Sequence, residues 1–79
     1  MLPTRQVDNY LQYTKPELRD IVMELRSLIV EVAPAVTERI DRHGLAYFFA
    51  QRGGVVSAGL CRISVQEDHV RLAFIHGAV

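Results

Sequence analysis

Four carboxylates share one flank of a helical stretch. At about 100° per residue, Glu17, Asp20, Glu24 and Glu31 fall within an arc of roughly 80°, beside an apolar stripe, with Arg19 and Arg26 on the opposite flank. Carboxylate oxygens suit iron and other hard cations. Asp20 and Glu24, one turn apart, are the candidate metal pair. The competing reading is a solvated helix face: Glu17 also suits a capping role, and no Asp-x-Asp-x-Asp-Gly loop turns these oxygens inward. A second set, Asp41, His43, Cys61, Asp68, His69 and His76, lacks the ligand spacing of a zinc finger and the His-Glu-x-x-His of a zincin. His69 and His76, seven apart on a strand, point to opposite faces. The histidines therefore read as structural, and Cys61, between Leu60 and Arg62, as a buried inert thiol.

Nucleophilic chemistry has no scaffold here. Ser57 and Ser64 lie in strand-like segments without a nucleophile elbow, and Arg52-Gly53-Gly54 lacks the lysine and following helix of a phosphate loop. An enzyme is not expected, nor is a resident cofactor. Arg39, Arg42, Arg52, Arg62 and Arg71 could form a basic patch, but nine Lys and Arg balance nine Asp and Glu, so no net field gathers nucleic acid. Tyr47, Phe48, Phe49 and Phe74 read as core or as the walls of a small-molecule pocket.

The elements that must position these residues change in texture along the chain. Val7, Tyr10 and Leu11 mark a short helix over residues 4–13. Thr14-Lys15-Pro16-Glu17 has the pattern of a capping box, with Pro16 in the first turn. Leu18, Ile21, Val22, Leu25, Leu28, Ile29 and Val32 then keep a helical period as one apolar arc, which places Leu25 near the middle of the core. Pro34 ends that helix and opens a shorter one through Val36 and Ile40, closed by His43-Gly44. Beyond it, aromatic and β-branched runs punctuated by glycine predict three strands over residues 45–51, 55–65 and 69–75. Arg52-Gly53-Gly54 makes the first turn, and a polar segment to Asp68 makes the second. Helices followed by hairpin-linked strands predict an α+β fold: N-terminal helices on one face of a three-stranded antiparallel meander sheet.

Several short pieces in a fixed order carry a family resemblance: Val7-Asp-Asn-Tyr-Leu11, then Leu25-Arg-Ser-Leu-Ile-Val-Glu-Val-Ala-Pro34 with Glu38 and Ile40, then Gly44-Leu-Ala-Tyr-Phe48, then Asp68-His-Val-Arg-Leu-Ala-Phe-Ile-His-Gly77. Over nearly the whole chain this resembles the YdhG-like bacterial domain of unknown function. That family is similar in fold to frataxin, and some members carry an iron-chaperone label. The resemblance implies a frataxin-like α+β fold and imports iron delivery as a function, with the acidic flank bearing Asp20 and Glu24 as its surface. Relatives continue past the His-Gly-Ala segment, so the chain is expected to be a shortened member lacking the family's C-terminal portion.

The 79 residues, 49% hydrophobic and 23% charged, suit one soluble domain spanning residues 1–79. No signal-peptide-like or membrane-spanning run is apparent, and a lone cysteine suits a reducing cytosol. The functional expectation is a non-enzymatic cytosolic binding or adaptor module. An iron-binding chaperone and a small-molecule-binding domain are the alternatives. Neither nucleic acid nor membrane is an expected partner, whereas a second copy is. The strand over residues 69–75 has no proline or lysine to blunt its edge, and Met23 and Val30 lie two turns apart away from the apolar arc, so either offers a homodimer surface.

Overall fold

Pro16 determines where the long helix begins, through the residue before it. A residue preceding proline is disfavoured in the helical region, and Lys15 is accordingly extended, with φ −56° and ψ 140°. In the computed structural model, which describes residues 1–53 and 58–74, helix α2 therefore spans Pro16–Val32 with Lys15 as its N-cap and no side-chain cap bond. The Thr14–Glu17 capping box does not form. Thr14 instead donates its amide to the Leu11 carbonyl at 2.9 Å, closing the turn after helix α1, Thr4–Tyr10. At the far end Ala33, held out of the helical region before Pro34, caps α2 as the sequence predicts.

The architecture is α+β. Among the described residues the strands β1 (Thr37–Asp41), β2 (Gly44–Phe48), β3 (Gly59–Val65) and β4 (Val70–Phe74) form a four-stranded antiparallel sheet in the order β1-β2-β3-β4. The expected sheet had three strands, and the fourth comes from residues 37–41, which the sequence reading placed in a helix after Pro34. There the side chains alternate, Val36 and Glu38 buried and Arg39 exposed, which is the period of a strand. His43-Gly44 is not a helix end but part of a tight hairpin: Asp41 pairs with Gly44, and the His43 amide donates to Asp41 Oδ1 at 2.8 Å. Gly44 adopts φ +129°, and a Cβ there would lie 2.1 Å from the Ile63 carbonyl oxygen of β3. Only glycine fits that crossing.

Other boundaries are shorter than expected. The strand predicted over residues 45–51 ends at Phe48, and Ala50–Arg52 forms a 3₁₀ turn before Gly53 at φ +135°. The expected β3 and β4 reach into residues 54–57 and 75–79, which lie outside the described residues, as do Ser57 and His76.

Val7 and Leu11 of the α1 region, Val22 and Ile29 of α2, and Leu45, Tyr47, Cys61 and Ile63 of the sheet share one core, so both helices pack on the same sheet face. Helix α2 is turned about 60° from its expected orientation. Leu18, Val22 and Ile29 are buried as predicted, but Ile21, Leu28 and Val32 are 43%, 53% and 83% exposed. Leu25 lies at the rim of the core, half-buried, rather than at its centre. In exchange Arg26 is buried, and Met23 and Val30, expected on a free flank, are half-buried.

Candidate functional site

Arg26 explains that rotation. Its Nε and Nη2 donate to the two oxygens of Glu38 at 2.7 and 2.8 Å, a two-point ion pair between α2 and β1. Glu38 Oε2 also accepts from the Tyr47 hydroxyl at 2.5 Å, and Oε1 accepts from the Leu2 amide at 3.0 Å. Arg26 Nη2 returns a bond to the Leu2 carbonyl at 3.0 Å. Burial alone would raise the Glu38 carboxyl, but the bonds from Arg26, Tyr47 and Leu2 and the Arg26 charge outweigh it and hold the carboxyl below its ordinary range. Burial and the bond to Glu38 push the Tyr47 phenol well above its usual value. The sequence carried a signal for this network. Glu38 alternates with Val36 and Ile40 at inward strand positions, and Arg26 stands one turn from Val22 and Val30.

The rotation also leaves an apolar groove of about 200 Å³ between α2 and the β3–β4 hairpin. Leu28 and Val32 wall one side, Leu72 and Phe74 the other, and Cys61 lies at its base. Leu72 and Phe74 are 38% and 61% exposed. Burial raises the Cys61 thiol, which keeps it protonated, as expected of an inert core cysteine.

The remaining predicted residues are dispersed. Asp20 and Glu24 are both exposed on α2, and no group of three or more His, Cys, Asp or Glu converges among the described residues. Asp41 accepts from Arg62 at 2.5 Å; burial opposes its ionisation, but the bonds from Arg62 and the His43 amide hold its carboxyl low. His69 pairs with its neighbour Asp68 at 2.7 Å on the surface, and Ser64 donates to the His43 carbonyl at 2.9 Å. The aromatics do not wall one pocket: Tyr47 faces the helices, Phe48 stacks against Arg39, Phe49 against Arg52, and Phe74 stands in the groove. Among the described residues no helix is long and apolar enough to cross a membrane. The chain matches no protein-family model, no curated protein and no solved structure at a significant level.

Proposed function

We propose that the chain is a non-enzymatic cytosolic binding module of the YdhG-like, frataxin-like type that works as a homodimer joined along β4. The family reading rests on the ordered residue series of the sequence. The dimer rests on one juxtaposition: Leu72 and Phe74 stand exposed on an edge strand beside exposed Leu28 and Val32. Among the described residues β4 pairs with β3 alone, leaving its other edge without a strand. Free edges template pairing unless blunted by proline, lysine or a bulge, and Val-Arg-Leu-Ala-Phe has none of these.

The strand is also self-complementary. Antiparallel pairing about a twofold axis at Leu72 sets Val70 opposite Phe74 and Leu72 opposite its own mate, all on the helix-side face. Arg71 meets Ala73 on the other face, so the strand's one charge never opposes itself. A small molecule suits the groove less well, since ligand pockets usually exceed about 300 Å³. Sedimentation equilibrium at micromolar concentration should give twice the 8.9 kDa chain mass, and Phe74→Glu should reduce it to one. A wild-type chain that stays monomeric throughout the range would remove the reading.

Iron delivery is a separate reading, favoured by the exposure of Asp20 and Glu24 on one side of α2. Titrating ferrous or ferric iron against isotope-labelled protein should then shift their amides, and Asp20→Asn with Glu24→Gln should weaken binding without unfolding the chain. Equal affinity in the double variant would exclude that flank.

A further inference from the structure

Leu2 is bound through its backbone by two side chains. Its N–H donates to Glu38 Oε1 and its C=O accepts from Arg26 Nη2, each at 3.0 Å, from partners 36 and 24 positions further along the chain. Both backbone groups of a single residue are thus read together, which is how a neighbouring strand reads an extended peptide. The reading groups are nearly dry, Glu38 at 4% exposure and Arg26 at 8%. They are also fixed from behind, because Arg26 Nε and the Tyr47 hydroxyl both donate to the other Glu38 oxygen.

What they hold is tethered far more lightly. Leu2 is half-buried with its side chain against the core, Met1 and Pro3 on either side are exposed, and α1 begins only at Thr4. Lifting Leu2 away breaks two hydrogen bonds and one aliphatic contact, yet it leaves the Arg26–Glu38 pair and the Tyr47 bond intact. No buried charge loses its counter-ion, so opening does not require unfolding. The vacated pair still presents one acceptor and one donor in fixed positions beside an apolar surface.

We propose that Arg26 and Glu38 form a peptide-binding site, occupied in cis by the Leu2 segment acting as a detachable strap. Its ligand class is an extended peptide that offers N–H and C=O around one aliphatic side chain. The strap competes with any such peptide, so the intact chain binds it more weakly than a chain without the strap.

The probe is the hexapeptide Met-Leu-Pro-Thr-Arg-Gln, titrated against isotope-labelled protein. A shortened chain beginning at Thr4, and the full chain carrying Leu2→Pro, which removes the donor N–H, should show saturable shifts at the Arg26 and Glu38 amides. The unaltered chain should bind at least about tenfold more weakly. No saturable shift in a folded variant, or equal affinity in all three proteins, overturns the proposal. Hydrogen exchange on the unaltered chain tests it even if both variants fail to fold. The Leu2 amide should exchange by local opening, well ahead of the Tyr47 amide within the sheet, and exchange of both at one common rate would show that the segment is no strap.

Discussion

Glu38 ties the stability of the fold to pH. Its carboxyl titrates lower in the folded chain than its ordinary value of 4.5, so the unfolded chain takes up its proton first as pH falls. The stabilisation is complete above that ordinary value and is lost as pH drops through the lower, folded one. Asp41, also held low, contributes with the same sign. Glu38→Gln should therefore be less stable than wild type at neutral pH and flatten the acid side of the stability profile, with Asp41 and the exposed Asp68, held low by its bond to His69, supplying the slope that remains. Leaving Arg26 buried without its counter-charge should cost about 3–5 kcal/mol, against roughly 4–12 kcal/mol in total for a domain of this size. Replacing the network whole, with Arg26→Met, Glu38→Leu and Tyr47→Phe, should recover most of the loss in urea melts. A triple variant as weak as the single one would show that the polar contacts, not the filled space, hold α2 to β1.

Helix α2 was legible because seven apolar residues keep its period and proline marks both ends. Its rotation was not, because periodicity weighs Leu28 and Val32 as core and Arg26 as surface, whereas a guanidinium with a buried partner reverses that assignment. Strand β1 was missed for a related reason. Pro34 opens a helix as readily as it ends one, and the inward Glu38 hid the two-residue alternation of Val36 and Ile40. Gly44 was noticed as a glycine closing a helix rather than a hairpin, and the strand that crowds it is remote in sequence. Gly44→Ala should accordingly destabilise by at least about 2 kcal/mol, since it combines an unfavourable φ with a Cβ inside contact distance of the Ile63 carbonyl. Lys15→Asp should do the opposite, adding about 1 kcal/mol, because α2 has no side-chain cap and an acceptor would meet its first free amides. Thermal melts of the two variants should move in opposite directions.

Zero net charge conceals a segregated surface. Glu17, Glu24 and Glu31 are exposed on the flank of α2 that adjoins Ile21, Leu28 and Val32, so joining two copies along β4 draws two acidic flanks toward one apolar seam. Added salt should tighten this dimer, since it screens that repulsion without weakening apolar contact. A dimer held by ion pairs would loosen instead. The twofold register makes a sharper demand. Residues directly opposed across antiparallel strands have Cβ atoms about 4.5–5.5 Å apart, and a small adjustment brings that within disulfide range. At Leu72, which faces its own mate, Leu72→Cys should cross-link the dimer on mild oxidation. Arg71→Cys should not, because Arg71 faces Ala73 and its own mate sits about 7–8 Å away on the diagonal. The native Cys61, 1% exposed, does not compete for either bond. Non-reducing electrophoresis separates the outcomes. Cross-linking at position 72 alone fits the twofold at Leu72, cross-linking at 71 alone moves the twofold axis by one residue to Arg71, and neither in a chain that sediments as a dimer moves the interface away from β4.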